Sequence, residues 1–287
     1  MISDITLGQY FPGKSLVHRF DPRTKLLLAV LYITAVFVSN NPVSFVILTA
    51  VTLSLVFISG ISFKTLWKSI KPILVILIFT AAINVFMTVG EGDPLIKLGF
   101  IKIYTEGIVK AFFMAYRVAM VIMGTSILLT YTTTPISLTD GIESLLSPLK
   151  KLNVPVHSFA MMMSIALRFI PTLVEETEKI MNAQKSRGAD FANGTLAQRA
   201  KALIPILIPL FASSFKRAEE LATAMECRCY RGDSNRTKLV KLEYKAGDYI
   251  WMLSSVLVLA GIILLAILPY NYEVDSLLYN LVFYRII

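Results

Sequence analysis

The sequence predicts an all-α integral membrane protein with about five transmembrane helices and two longer helices at the membrane surface and in the cytoplasm. Hydrophobic residues make up 55% of the 287 residues, and the mean hydropathy is +0.67. Charged residues make up only 16%, against about a quarter in a soluble domain. The apolar residues form runs close to the roughly 17–25 residues that a bilayer-crossing helix needs.

The first two spans are predicted to form a hairpin. Leu26–Ser39 is apolar and ends at the turn signal Asn40–Pro42, and Val43–Gly60 is the second apolar run. A proline disfavours helix at the residue before it but can itself begin one, so Pro22 marks the start of the first helix. Only a tight turn separates the two runs, so they cross the bilayer in opposite directions.

Three further spans are predicted. The third, about Pro72–Val89, follows a basic loop with three lysines between residues 64 and 71. A mixed loop over residues 91–107 leads to the fourth span, about Ile108–Thr130. The fifth, Tyr249–Leu268, precedes an aromatic-rich tail that suits the membrane interface.

Two long helices are predicted between the fourth and fifth spans, after a short amphipathic helix at Thr139–Leu149. They cover Val156–Arg187 and Thr195–Arg228, and Thr195 with Gln198 makes a capping box for the second. Each would be roughly 45–50 Å long, more than a hydrocarbon core of about 30 Å. Their internal prolines are expected to bend them: Pro171, Pro205 and Pro209.

Each long helix begins apolar and becomes charged. The charged residues are ones that a lipid-facing helix would not tolerate: Glu175, Glu176, Glu178, Lys179, Lys216, Arg217, Glu219 and Glu220. The apolar halves are therefore expected at or partly in the membrane surface, and the charged ends in the cytoplasm.

Both long helices end in an arginine between small residues. The candidate docking site comprises these two triplets: Ser186, Arg187, Gly188, Cys227, Arg228 and Cys229. A glutamate lies nine residues, and an alanine four residues, before each arginine. A single basic residue at a helix C-terminus can interact with the helix dipole or with anionic lipid. The repeated spacing favours a shared docking role, in which each guanidinium pairs with carboxylates in an acidic groove.

The sequence indicates neither an enzyme nor a metal site. Two cysteines are too few for a structural zinc site, which needs four ligands, and His18 and His157 are far from them in sequence. Phosphate-binding loops, nucleophile elbows and zinc-protease motifs are absent. The net charge of +9 reflects basic residues kept on the cytoplasmic side rather than a nucleic-acid surface.

The basic residues also orient the chain. Four precede the first span and 16 lie within residues 131–247, whereas the loop over 91–107 holds two. This places the N-terminus in the cytoplasm and the C-terminus outside. The predicted parts are a four-span membrane part over 1–130, a cytoplasmic helix region over 131–247, and the fifth span with its external tail over 248–287.

Two features inside the apolar segments have a structural and a functional interpretation. Arg117 is expected to hydrogen-bond within the helix bundle, with Asn84 as its candidate partner, rather than to mark an ion path. The run Met161, Met162 and Met163 is expected to be packing, with a re-packable sliding surface as the alternative.

Five segments have the composition and order of a known family. They are His18–Leu26 (HRFDPRTKL), Ala183–Asp190 (AQKSRGAD), Ala200–Pro205 (AKALIP), Phe215–Glu226 (FKRAEELATAME) and Tyr230–Gly232 (YRG). Together they resemble the transmembrane coupling (T) component of energy-coupling factor transporters. Ser186 and Cys227 stand where the family pattern has alanine, and Cys229 replaces its final small residue.

The resemblance implies a non-catalytic subunit of an ATP-driven importer of vitamins or metal ions in a prokaryotic plasma membrane. Two cytoplasmic ABC-type ATPases would hold the arginine triplets and bind ATP and Mg, so no cofactor is expected in this chain. A small membrane S component would bind the substrate. The candidate contacts with that component are Met161, Met162, Met163, Ile206 and Leu210.

Two alternatives stay open. One is a self-sufficient secondary transporter, which needs intramembrane polar sites and often has inverted repeats. Arg117 and Asn84 are the candidates for such a site. The other is a conventional ABC permease with its own solute pocket. Co-purification of two ATPases and a separate small membrane protein would distinguish the T component from the secondary transporter.

Overall fold

A computed structural model describes residues 10–13, 15–88, 96–98, 101–152, 154–189, 191, 195–230, 232 and 242–267. The chain falls into two compact units, which are described separately. The membrane unit comprises the described residues within 8–141 and 242–287, and the helix-pair unit those within 142–241. The three-part division at residues 130 and 247 stays a prediction, and the aromatic tail lies outside the described residues.

The membrane unit begins with α1 (Pro22–Val38) and α2 (Pro42–Ser59), the two helices of the predicted hairpin. α1 begins before the first apolar residue because the Asp21 side chain accepts the backbone N–H of Arg23 at 2.9 Å. α2 ends at Gly60, whose φ of +68° is the left-handed conformation common just after a helix.

The prediction of a basic loop before the third span is wrong. Lys64 and Lys68 lie on a helix, α3 (Phe63–Ile70), and a 3₁₀ turn, Lys71–Ile73, joins it to α4 (Leu74–Met87). Lysine is a good helix former, and both α3 lysines are exposed. The helical segment that contains the third span therefore starts about nine residues earlier than predicted.

The mixed loop before the fourth span contains a short antiparallel ribbon. Its strands are β1 (Ile96–Leu98) and β2 (Ile101–Ile103), and Ile96 pairs with Ile103. Apart from this ribbon, the regular structure of the described residues is helical, so the predicted all-α class is confirmed.

The remaining helices of the membrane unit follow the prediction closely. α5 (Thr105–Thr125) continues as one π-helical turn, Ser126–Tyr131, and α9 (Ala246–Ile267) is the fifth predicted span. The short amphipathic helix is α6 (Pro135–Leu146), which a 3₁₀ segment over Ser147–Leu152 extends. Residues 135–141 of this stretch belong to the membrane unit and residues 142–152 to the helix-pair unit.

Tyr32 joins three helices in the core of the membrane unit. Its hydroxyl donates to the backbone oxygen of Met120 on α5 at 3.1 Å and pairs with the Thr52 hydroxyl on α2 at 2.8 Å. Gly124 on α5 lies directly against the ring, because a Cβ there would be 2.2 Å from a ring carbon. A glycine is needed where α1 and α5 approach this closely.

The predicted pairing of Arg117 with Asn84 is wrong. Arg117 donates to the backbone oxygen of Ser39, the residue that ends α1, and to the Asn40 side chain at 3.3 Å. Asn84 instead donates to Thr80 O, four residues earlier in its own helix, at 2.9 Å. The negative end of the α1 dipole provides a closer acceptor for the guanidinium than the amide does.

The helix-pair unit contains α7 (Val156–Ser186) and α8 (Leu196–Cys227), which match the two predicted long helices. The predicted capping box is confirmed: Thr195 N–H donates to the Gln198 side chain at 2.9 Å, and Gln198 N–H to the Thr195 hydroxyl at 3.4 Å. Both helices continue through their internal prolines, and the bends stay a prediction.

Among the described residues, five helical segments are long and apolar enough to cross a membrane: Pro42–Ser59, Phe63–Met87, Thr105–Tyr131, Val156–Ser186 and Ala246–Ile267. Four of these contain predicted spans. The fifth is α7, which the sequence analysis assigns to the membrane surface because its second half is charged. α1, with 17 residues, is one residue shorter than the shortest of the five.

Candidate functional site

The first arginine ends α7 in a regular helix-capping motif. Arg187 is the last residue before the left-handed Gly188, which has φ +87°. Gly188 N–H donates to Lys185 O at 2.9 Å, and Ala189 N–H donates to Gln184 O at 3.0 Å. These two bonds are those of a Schellman motif, which satisfies carbonyl groups that a helix end otherwise leaves unpaired.

The second arginine ends α8 in the same way. Arg228 precedes Cys229, which has φ +56°, the one positive φ among the described residues other than glycine. Cys229 N–H donates to Glu226 O at 2.8 Å, and Tyr230 N–H donates to Met225 O at 3.0 Å. Both arginines therefore occupy the same capping position, and we call Ser186–Gly188 and Cys227–Cys229 the tips.

Both tips are open to solvent. All six candidate docking residues are exposed. Neither the Arg187 nor the Arg228 guanidinium has a hydrogen-bond or ion-pair partner among the described residues. Because the Schellman bonds already satisfy the nearby backbone carbonyls, the guanidinium is the strongest polar group that each tip offers to another molecule.

α7 and α8 are joined by a polar cluster that we call the clamp. The Glu176 carboxylate accepts the Ser213 hydroxyl at 2.5 Å and pairs with the Arg217 guanidinium, also at 2.5 Å. The side chains of Arg217 and Glu176 are 32% and 21% exposed, so water only partly screens the ion pair. Both charges are evident in the sequence, but their pairing is not.

The clamp lies at the same distance from each tip. Glu176 precedes Arg187 by eleven residues, and Arg217 precedes Arg228 by the same number. Eleven residues correspond to about 16 Å of helix. The 41-residue offset that relates the two arginines thus also relates the two members of the ion pair. The ion pair therefore joins equivalent positions of the two helices, and the same length of chain separates each member from the arginine of its own helix.

The apolar halves of both long helices expose large side chains. Met162 is 58% exposed and Met163 40% exposed, whereas Met161 is half-buried. Ile206, a predicted contact for another subunit, is only 4% exposed, and Leu210 is half-buried. The exposed side chains of α8 form a stripe at helical spacing instead: Ile204, Leu207, Ile208, Phe211 and Phe215. Two of these exposed residues, Leu207 and Phe211, directly follow the predicted contacts Ile206 and Leu210 in the sequence.

The described residues contain no cluster of side chains that could bind a metal ion. No group of three or more histidine, cysteine, aspartate or glutamate side chains with suitable geometry occurs there. Cys227 and Cys229 are free, exposed thiols on the second tip.

The comparison with known proteins decides the family. The sequence matches the family of cobalt transport proteins, CbiQ, over residues 13–239. The chain belongs to the CbiQ family. The matched range contains both tips, the clamp and the segment His18–Leu26.

Curated relatives match over most of the chain. A protein of Clostridium kluyveri is 52% identical over 250 residues, which cover 87% of this chain and 92% of the relative. A relative from Acidaminococcus fermentans is 50% identical over 271 residues, which cover 94% of this chain and 99% of the relative. A relative from Bacillus subtilis is 48% identical over 263 residues, which cover 92% of this chain and 98% of the relative. All three are named "Energy-coupling factor transporter transmembrane protein EcfT".

These names agree with the resemblance that the motifs indicate, which is thereby confirmed. The chain is similar over 87–94% of its length to T components of energy-coupling factor transporters, and it is a multi-pass membrane subunit of a transporter. The alternative of a self-sufficient secondary transporter is not favoured.

Proposed function

We propose that this chain is the T component of an energy-coupling factor importer and transmits the closing of two cytoplasmic ATPases to a substrate-binding S component. The observation that carries the proposal is the pair of matched tips. Two exposed arginines, neither paired with another described residue, stand at the same position of the same capping motif, at equal distance from one clamp. Two equivalent sites fit two equivalent or closely related partners.

The docking chemistry follows from the tips. A guanidinium presents a planar fork of donors that pairs bidentately with carboxylates. The small residues beside each arginine let the walls of an acidic groove approach the helix end closely. The left-handed residue after each arginine turns the chain away, so only the helix end enters the groove. Each ATPase would hold one tip.

The clamp turns docking into coupled motion. A closing ATPase dimer brings its two grooves together and, with them, the two tips. Glu176 and Arg217 hold α7 and α8 together about 16 Å from each tip. Displacement of the tips therefore rotates both helices about one point. ATP can shift the arrangement only as far as the closed dimer binds one helix arrangement better than another.

The exposed apolar stripe of α8 is the surface for the S component. Its members recur at the spacing of one helix face, and each of them is more than 45% exposed on a helix with charged residues further along. Met162 and Met163 add a second apolar surface on α7, and their flexible thioethers adapt to a partner that changes its tilt. The cargo class is a vitamin or a metal ion, bound by the S component rather than by this chain.

The membrane orientation follows from charge. The N-terminus and the tips lie in the cytoplasm of a prokaryotic cell, and the C-terminus lies outside. The tips must share the compartment in which ATP is hydrolysed, and 16 of the 28 basic residues lie within 131–247. In α7, the charged second half reaches the cytoplasm and the apolar first half lies in or at the bilayer.

A conventional permease with its own solute pocket is the second candidate, and the contacts of the membrane unit argue against it. Arg117 caps α1 and Asn84 bonds within its own helix, so neither is free to bind a solute. A cavity of about 200 Å³ lies along α1, but its lining is aliphatic and aromatic apart from serines such as Ser254 and Ser255. Both of these serines donate to carbonyls of α9.

The test is a pull-down of the two ATPases from membranes that co-express them with the full-length chain. Arg187→Glu and Arg228→Glu are each expected to weaken attachment by about a hundredfold or more, because breaking a buried ion pair costs about 3–5 kcal/mol. Lys179→Glu and Lys216→Glu make the same charge change at exposed positions of α7 and α8 and should retain the ATPases. Undiminished capture by the double arginine variant would exclude docking at the tips.

A further inference from the structure

The first turn of α1 buries an unusual set of polar residues. Asp21, Thr24 and Lys25 are 6%, 0% and 2% exposed. Charged side chains are rarely buried unless they are paired, because removing them from water costs several kcal/mol. We call Asp21–Lys25 the anchor turn. It lies within the segment HRFDPRTKL, and neither the tips nor the clamp accounts for it.

The anchor turn holds the chain where it leaves the membrane unit. The Lys25 ammonium donates to Thr132 O at 2.7 Å, just after the π-helical turn that ends α5. Gly141, the last residue of the membrane unit in this part of the chain, packs against Pro22. A Cβ at Gly141 would be 3.0 Å from the Pro22 Cβ and 3.2 Å from its carbonyl carbon, so any larger residue would have to displace Pro22 by a few tenths of an ångström.

The anchor turn also holds the chain where it returns. Arg23 donates to the backbone oxygen of Leu242, the residue at which the membrane unit resumes, at 3.1 Å. The Arg23 guanidinium lies over the Tyr244 ring, 5.1 Å from its centroid. Asp21 N–H donates to the buried Asp248 carboxylate at 3.2 Å, and that carboxylate also caps the start of α9 by accepting Lys245 N–H at 2.8 Å.

All of these contacts lie inside the membrane unit. Within the described residues, two segments of the membrane unit lead to the helix-pair unit: the one that ends at Gly141 and the one that begins at Leu242. Both segments are bound to the same anchor turn. Each segment accepts a charge-assisted hydrogen bond from a side chain of that turn at a backbone carbonyl.

We propose that the anchor turn is the mechanical attachment through which movement of α7 and α8 reaches the membrane helices. This inference rests on the proposed function, because it assumes that the helix pair is moved by ATPases. A force on either segment is passed to α1 first, and α1 is the helix that packs against both α5 and α9. Without the anchor turn, the segments around Gly141 and Leu242 would move without carrying α1 with them, and ATP would be hydrolysed without transport.

Three variants of Arg23 separate its hydrogen bond to Leu242 O from the packing and the charge of its side chain. Arg23→Ala removes the whole side chain, whereas Arg23→Met keeps the aliphatic stem and removes only the donors. Arg23→Lys keeps a donor for Leu242 O. Arg19→Ala is the matched control, because Arg19 is exposed and has no side-chain partner among the described residues.

The first measurement is the rate of trypsin cleavage after Lys245 in the purified complex. Arg23→Ala and Arg23→Met are expected to raise this rate about tenfold, as an opening free energy lowered by about 1.4 kcal/mol would. Arg19→Ala should cleave at the wild-type rate. Equal rates in all variants would overturn the attachment at Leu242.

The second measurement is ATP-driven uptake of a tritiated vitamin into vesicles that contain the chain, its ATPases and a co-purified S component that binds that vitamin. Arg23→Ala and Arg23→Met should keep the ATPases bound. Their uptake per ATP hydrolysed should fall about tenfold, a factor within the range that known coupling free energies produce. Arg23→Lys should restore uptake. Wild-type uptake per ATP, or loss of the ATPases themselves, would overturn the proposal. Failure of the tip variants to release ATPases would instead refute the proposed function and leave the cleavage result standing.

Discussion

Glu176 and Arg217 form the ion pair that joins α7 to α8, and each lies eleven residues before the exposed arginine of its own helix. The number of residues from the ion pair to the tip is therefore the same on both helices. This symmetry suits a part that two similar ATPases move together. The same pair also supplies the most direct test of whether the two helices act as a unit.

Arg217→Ala is expected to uncouple the helices without releasing the ATPases. The ion pair is partly exposed, so its loss should cost no more than about 1 kcal/mol of stability, while α7 and α8 become free to move relative to each other at this position. Uptake per ATP hydrolysed should fall several-fold, and the exchanged pair Glu176→Arg with Arg217→Glu should recover most of it. Lys216→Ala, an exposed neighbouring cation, is the control. A normal coupling ratio in Arg217→Ala would refute this role of the clamp.

Cys229 should be replaceable by glycine with a gain in local stability. Its φ of +56° costs a residue with a Cβ about 1–2 kcal/mol relative to a right-handed conformation, and glycine avoids this cost. Amide hydrogen exchange at the end of α8 should slow about fivefold or more in Cys229→Gly. Cys229→Ala, which removes the thiol but keeps the strain, should match the wild type in exchange, transport and metal content. Stoichiometric zinc that disappears in Cys229→Ala would contradict this assignment.

Gly188→Ala makes the opposite change at the other tip. No atom lies within 4 Å of the position of the new Cβ, so the effect is one of backbone conformation alone. Alanine at φ +87° should cost about 1 kcal/mol or more and fray the end of α7, which weakens ATPase attachment by about fivefold. Gly261→Ala on α9 also enters open space but has no positive φ, and it should leave attachment unchanged. Equal affinities for the two variants would show that the cap does not position Arg187.

The long helices and the tips were predictable from sequence because they depend on local patterns. A capping box starts α8, charge marks the second half of each helix, and the arginines repeat at one spacing. The partner of Arg117 was not predictable in this way. It is a backbone carbonyl 78 residues away, and carbonyl groups leave no trace in the side-chain sequence.

Periodicity alone does not fix which face of α8 is exposed. Ile206 and its neighbours Leu207 and Ile208 are all large and aliphatic, so a sequence cannot say which of them packs inward until the rotation of the helix is known. Tertiary packing decides that Ile206 is 4% exposed while Ile208 is 64% exposed. The anchor turn was missed for a related reason. Its charges looked like those of a cytoplasmic segment before a span, and their burial depends on chain segments more than 100 residues away.

Gly124→Ala should disrupt the membrane unit. The added Cβ would overlap the ring of Tyr32, at 2.2 Å from the nearest ring carbon, so α1 and α5 would have to move apart. Overpacking of this kind typically costs about 1–3 kcal/mol. The detergent-solubilised protein should show a lower thermal midpoint by fluorescence-detected size exclusion, and Gly261→Ala should not. An unchanged midpoint in Gly124→Ala would mean that the two helices do not approach as closely as described.

Arg117→Gln distinguishes a structural arginine from an ion-path residue. The guanidinium caps α1 through Ser39 O and lies over the Phe45 ring, 5.6 Å from its centroid. Its loss should cost about 1–2 kcal/mol, through the cap and the helix dipole, and lower the thermal midpoint. Uptake per folded complex should be unchanged, because the described partners of this guanidinium are all structural contacts within the membrane unit: Ser39, Asn40 and Phe45. Asn84→Leu, which removes only a bond within its own helix, should preserve uptake as well. If Arg117→Gln is stable but abolishes uptake, the arginine belongs to a transport path, and the T-component mechanism argued from the tips would need a solute route through this chain.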